Sequence, residues 1–291
     1  MFRILILIAV VIVAVVPAAP AFADNDDGLR NDDGLRAVPF AFVGTAADCA
    51  PFPAGSNIVT AAWLGGMGLP DNDGMNTQPA DTLVGGTNPN KRDPHFGLLL
   101  SKNGPTADCS AAGATIVFPR FTQAFQQQIN ATPKKLRAAL IANAPPSAFF
   151  PPIVQGTGPT AIVLGFDYRN GGHCGAGAPR FNVVARPATT GSDTFHFVGG
   201  CSNDSPTSAP QDPLQWTRVR FDTSNAAQSF PVIPPGSTIV SIDLIFDEGT
   251  TEVVAGDAQG VGLAVVDNID INGRFIRSGR GIAPDRDEDH D

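Results

Sequence analysis

Residues 167–183 read DYRNGGHCGAGAPRFNV, the densest run of chemically capable side chains in the protein. His173 stands beside Cys174, glycines surround the pair, and Arg169 and Arg180 flank it. Three chemistries use such residues. A glycine-rich loop can cradle phosphate, but a dinucleotide site needs a strand, then G-x-G-x-x-G, then a helix. Here GAGAPR places Arg180 where the third glycine belongs, Pro179 precedes it, and a strand-like run follows. The helix N-terminus that would hold a phosphate is therefore missing. A Cys–His nucleophile needs a free thiol, which an exported cysteine with a partner at Cys201 does not keep. The third reading is a covalent corner. RFNVVARPATTGSDTFHFVGGC (180–201) reads as a hairpin turning near Thr189–Asp193, returning Cys201 to Cys174.

Period-2 alternation then assigns faces to the strands around that corner. In 180–186, Phe181, Val183 and Ala185 are expected in the core, with Arg180, Asn182, Val184 and Arg186 outward. In 194–199, Phe195 and Phe197 are expected inward and His196 outward. In 214–221, Leu214, Trp216, Arg218 and Arg220 share the face opposite Gln215, Thr217, Val219 and Phe221. In 238–246, Val240, Ile242, Leu244 and Phe246 are expected inward, with Ser241 and Asp243 outward. If these strands share a sheet, Trp216, Arg218, Arg220, Arg180, Asn182 and His196 make a polar face with an aromatic platform. Sugar rings pack on such an aromatic, and fork donors meet hydroxyls or carboxylates. The alternative is an ordinary solvated sheet face, with Trp216 covered by a helical insertion.

Asp267 falls in the apolar phase of VGLAVVDNIDING (261–273), shared with Val261, Leu263, Val265, Ile269 and Ile271. A carboxylate buried there needs a partner. A structural Ca²⁺, backbone N–H donors, or a β-bulge that turns it outward each answer that need. GLAVVDNIDINGRFI (262–276) resembles the closing strand of secreted jelly-roll domains of the galactose-binding-like and carbohydrate-binding-module type. That resemblance implies a β-sandwich that binds a polysaccharide or surface glycan, and in some members a structural Ca²⁺.

Other chemistries lack their residues. No G-x-S-x-G elbow and no H-E-x-x-H zinc motif occurs, and the four histidines are widely spread. A glycosidase needs two placed carboxylates. The three Glu fall in loops or the tail, while Asp243, Asp247, Asp267 and Asp270 remain available. The expectation is a secreted non-catalytic protein that binds carbohydrate or a cell-surface partner, with a secreted hydrolase acting on polysaccharide through Asp carboxylates as the alternative.

The elements that must position these residues are mostly strands. The chain has 31 Gly, 26 Pro, 25 Asp and only 3 Glu, a composition that favours turns over helices. Strand-like runs cover 57–64, 96–102, 114–118, 160–168, 180–186, 194–199, 214–221, 238–246 and 261–271. They predict an all-β, antiparallel, jelly-roll-like sandwich of about nine strands. TQAFQQQINATPKKLRAALIANAPP (122–146) is expected as a helical insertion, with Thr132 capping and Pro133 in the first turn.

Arg3, the 13-residue apolar run Ile4–Val16 and Ala21-Phe22-Ala23 have the layout of a cleaved signal peptide, 1–23. The apolar run is short of the roughly 20 residues a spanning helix needs. Export, and no membrane contact after cleavage, are therefore expected. The tandem NDDGLR repeat makes 24–37 a disordered linker, 38–277 is the sandwich, and 278–291 is a disordered acidic tail. A net charge of −9 argues against nucleic acid. Four cysteines in an exported chain are expected as Cys49–Cys109 and Cys174–Cys201, the first pair in the near-copies TAADCA and PTADCS.

Overall fold

The computed structural model describes residues 34–45, 47, 50, 53, 55, 59–69, 96–104, 107–250 and 260–283. Among them, fourteen strands form two antiparallel sheets packed face to face. One sheet is ordered β1 (Arg36–Val43), β4 (Ser110–Val117), β11 (Thr238–Phe246), β6 (Arg180–Arg186), β7 (Thr194–Gly199) and β10 (Ser229–Phe230). The other is ordered β14 (Ile282–Ala283), β2 (Val59–Leu64), β3 (Gly97–Lys102), β12 (Leu263–Ile271), β5 (Val163–Arg169), β9 (Trp216–Asp222) and β8 (Thr207–Ser208), with β13 (Arg274–Ile276) beside β12. The fold is thus the expected all-β antiparallel sandwich.

Its core comes from alternate residues on the two facing sheets. Leu164, Phe166, Val219 and Phe221 from the eight-stranded sheet meet Phe181, Val183, Ile242 and Leu244 from the six-stranded one. The Phe166 ring sits 6.0 Å from both Phe181 and Phe221. Each such side chain, fully buried, contributes on the order of 2 kcal/mol. β1 was not among the expected strands. Pro39 interrupts its sequence, yet an edge strand tolerates proline because one row of its N–H groups has no ladder partner. Leu35, in the second NDDGLR copy, is fully buried in the core just before β1 begins. At the other end β14 pairs with β2 inside the stretch read as tail.

Two bulges change the faces expected from simple alternation. One lies between Ile239 and Ser241 against β6, and it leaves Val240 exposed. The other lies between Asp267 and Asp270 against β5. Before this bulge Ala264 and Val266 face the core, and after it Ile269 and Ile271 do. The extra residue, Asn268, has φ 45°. Asp267 and Asp270 therefore both stand on the outer face.

The helical insertion is two helices, α1 (Gln123–Ala131) and α2 (Lys134–Ala142), separated at Thr132-Pro133. Phe125 and Ile129 of α1 pack with Phe121 and Ala148 as a small satellite core. α2 buries none of its residues fully, and Leu136 is exposed.

Among the described residues no helix is long and apolar enough to cross a membrane. Cys174 and Cys201 form a disulfide, closing the β6–β7 hairpin. Cys109 is also disulfide-bonded, while Cys49, its expected partner, lies outside the described residues.

Candidate functional site

The six residues expected to share one face divide among three places. Trp216, Arg218 and Arg220 stand on the outer side of the eight-stranded sheet. Arg180 and Asn182 stand on the outer side of the six-stranded sheet. His196 points into the molecule. Its register partner is Val183, a core residue, so the whole of β7 is turned the other way and Phe195 and Phe197 face outward. The reversal is affordable in hydrogen bonds because the imidazole is satisfied. Nδ1–H donates to the Pro231 carbonyl at 2.8 Å, and Nε2 lies 2.8 Å from the Thr194 hydroxyl, which also reaches the Ala185 carbonyl at 3.0 Å.

Trp216 is buried and offers no platform. Leu69, Ala209 and Val265 cover it, not the helical insertion. Arg218 and Arg220 beside it are occupied within a charged ladder. Arg218 forks onto Asp167, its direct cross-strand neighbour, at 2.8 and 2.9 Å. Arg220 meets Asp270 at 2.8 Å and Asp167 at 3.4 Å. Gly165 faces Arg220 across the strand pair, and a Cβ there would stand 2.5 Å from the Arg220 Cδ. The bulge residue Asn268 donates its amide to Asp167 at 2.8 Å. Burial raises the Asp270 carboxyl above the usual range, against the opposing pull of Arg220. Burial likewise lowers the Arg220 guanidinium, against Asp167 and Asp270. This cluster ties three strands together. Asp267, next to it, accepts from the backbone N–H of Leu69 at 2.7 Å and of Asn268 at 2.6 Å. Among the described residues no cluster of three or more His, Cys, Asp or Glu is placed to hold a metal.

The outer side of the six-stranded sheet is different. One row crosses all six strands through direct register partners: Val38, Thr115, Asp243, Asn182, Phe197 and Phe230. Phe197 and Phe230 are 38% and 44% exposed, two phenyl rings turned toward solvent side by side at the sheet's edge. Phe195 packs edge-on against Phe197 at 4.9 Å. In the middle of the row, Asp243 accepts from the Thr115 hydroxyl at 2.7 Å through one oxygen. Burial raises the Asp243 carboxyl above the usual range, with the Thr115 hydrogen bond opposing. Asn182 accepts the Arg180 Nε–H at 3.2 Å through its oxygen.

A shallow groove of about 310 Å³ opens beside the row, lined by Phe197, Phe230, Arg180, Asn203, Ala176 and Gly177 among others. Its walls are the glycine-rich corner of residues 174–177 and 199–203. The Cys174–Cys201 bridge holds them together. Asn203 donates its side-chain amide to the Gly199 and Ala176 carbonyls at 2.6 and 3.3 Å. Glu248 accepts the Gly177 N–H at 3.0 Å and contacts buried His173 at 2.6 Å with its other oxygen. His173 therefore positions a loop. Arg180 forks onto both oxygens of Asp247 at 2.6 Å, donates to the Gly177 carbonyl at 2.7 Å, and lies over the Phe197 ring at 5.1 Å.

No family model, curated protein or solved structure matches the chain. The geometry of the site itself must carry its reading. Sequence reasoning had Arg180 and Asn182 outward and Asp243 outward, but not the partners that make a site of them. Phe230 lies in a two-residue strand too short for a periodicity signal. Alternation puts Phe197 in the core and His196 outside, and nothing in the run TFHFVG (194–199) marks the opposite phase.

Proposed function

We propose that the protein is an exported, non-catalytic binding module for carbohydrate, presented as a polysaccharide or on a cell surface. The carrying observation is the transverse row on the six-stranded sheet. It sets exposed phenyl rings directly beside an amide and a carboxylate, over an open groove. Sugars have apolar C–H faces and polar edges, so this pairing of aromatic surface with hydrogen-bonding groups suits them. Export rests on the leader-like N-terminus and agrees with a disulfide that an oxidising compartment preserves.

The carboxylates favour binding over hydrolysis. Glycoside cleavage needs two carboxyl groups free to act on the bond. Asp247 has both oxygens on Arg180, Asp270 is held by Arg220 and the Gly273 N–H, and Asp267 accepts backbone N–H groups. Asp243 stands on the opposite side of the sandwich from Asp267 and Asp270. A glycan array probed with the purified chain, followed by a hydrolysis assay on each bound glycan, tests the proposal. Binding without cleavage is the expected result. Cleavage of a bound glycan would replace it with the hydrolase reading.

A further inference from the structure

We propose that the groove is specific for an uncharged sugar polymer, and that Asn182 and Asp243 together read a vicinal diol on it. This inference rests on the binding function proposed above and adds the ligand class.

The arginine at the site is the residue that would otherwise suggest an acidic ligand. An unoccupied guanidinium is a fork for carboxylate or sulfate. Arg180 is not such a fork. Asp247 takes both of its forward donors, the Gly177 carbonyl and Asn182 take others, and its flat face lies on Phe197. Its charge is matched one to one by Asp247, and Glu248 stands next in sequence against Gly177. Asp243 then adds a carboxylate with no cation bound to it among the described residues, since the group that donates to it is the neutral Thr115 hydroxyl. The face is therefore neutral to acidic, on a chain of net charge −9. A polyanion approaching it meets repulsion at long range, and among the described residues the two arginines of β6, Arg180 and Arg186, are each forked onto an aspartate.

The hydrogen-bonding groups still available are complementary to hydroxyls. Asn182 uses its carbonyl oxygen on Arg180, which leaves its NH₂ as a donor. Asp243 uses one oxygen on Thr115 and has a second acceptor oxygen. The two residues are direct register partners on adjacent strands, about 4.8 Å apart in the sheet. A donor beside an acceptor fits two neighbouring hydroxyls, because each hydroxyl both donates and accepts. A carboxylate or sulfate only accepts, and has nothing to offer Asp243. Phe197 flanks Asn182 in the same row and Phe230 flanks Phe197. The sugar whose diol is read there continues as a chain over the two rings, toward the groove.

The test is isothermal titration of the purified chain, and of its Asp243→Ala and Asn182→Ala variants, with four soluble polymers: a β-glucan, a mannan, a polyuronate and chitosan oligomers. The inference expects binding of at least one of the two uncharged polymers, no measurable binding of the polyuronate, and at least a tenfold loss of affinity in each variant. Phe197→Ala is a second route to the same face, expected to weaken the uncharged polymer in a variant that circular dichroism shows to be folded. If the polyuronate binds as well as the uncharged polymers, or chitosan binds best and is released by salt, the ligand class is wrong while the binding function stands. If none of the four binds, the binding function fails with it. Unchanged affinity in folded Asp243→Ala and Asn182→Ala would overturn the diol reading alone.

Discussion

Asp243 is a carboxylate held where it costs stability. Desolvation raises its pKa above the unfolded value, so its ionised form is penalised in the folded protein. The penalty is complete above the folded pKa and disappears as pH falls below the ordinary carboxylate value. Asp243→Asn keeps the acceptor for Thr115 and removes the charge. Urea denaturation should therefore show the variant more stable than the parent at pH 7, with the difference shrinking as the pH is taken below about 4. A variant less stable at pH 7 would mean that Thr115 holds the charge better than burial opposes it. A residue that weakens the fold at its own position is a marker of function. Asp167, by contrast, sits at the centre of a ladder with Arg218 forked onto it, which is the pattern of a charge kept for structure.

At the scale of elements, the strands themselves were legible in the amino-acid pattern, but their faces only in part. In β6 and β9 the alternation of large apolar and polar residues assigns each side chain correctly, because both strands run unbroken through their ladders. In β11 and β12 a bulge inserts one residue and reverses the phase, and nothing in a run such as VVDNID announces that. β7 misleads for another reason. A phenylalanine and a histidine exchanged their usual places because the Pro231 carbonyl was waiting for the imidazole. Alternation also says nothing about which sheet a strand joins, which is why Trp216 and Arg180 were grouped on one face. The hairpin corner was the most readable element, since two cysteines bracketing a turn leave few other arrangements. Its bridge ties Ala176 and Gly177 to Gly199 and Asn203, the two walls of the groove. Replacing Cys174 and Cys201 by serine should lower the unfolding free energy by about 3.5 kcal/mol in the chain-entropy model. Equilibrium urea curves measure this. A loss below about 1 kcal/mol would show that the Asn203 and Glu248 hydrogen bonds hold the corner without the bridge.

For the whole molecule, the sandwich divides its labour between two outer surfaces. The eight-stranded sheet covers its outer charges with one another, and the six-stranded sheet leaves an aromatic and polar row open. The open row depends on a histidine in the interior. His196 holds the Pro231 carbonyl, and Pro231 follows Phe230, so a neutral buried imidazole anchors the outermost ring of the site. Burial lowers the pKa of His196 below its ordinary value of 6.5, although the Pro231 hydrogen bond opposes this. Between the folded pKa and 6.5 the unfolded chain binds a proton that the native protein does not. Stability contributed by the neutral ring is therefore present above 6.5 and lost progressively as pH falls through that window. Asp243 acts in the opposite direction, its penalty fading as pH falls toward the ordinary carboxylate value. The parent protein should lose unfolding free energy between pH 7.5 and 5.5, and His196→Gln should lose less over the same interval, since an amide supplies a donor and an acceptor but does not titrate. Glycan affinity measured at the two pH values should follow the same difference, because the ring of Phe230 is displaced with the carbonyl that His196 holds. Parallel stability curves for the parent and His196→Gln would mean that other groups set the acid limb, and that this imidazole is not the link between the interior and the site.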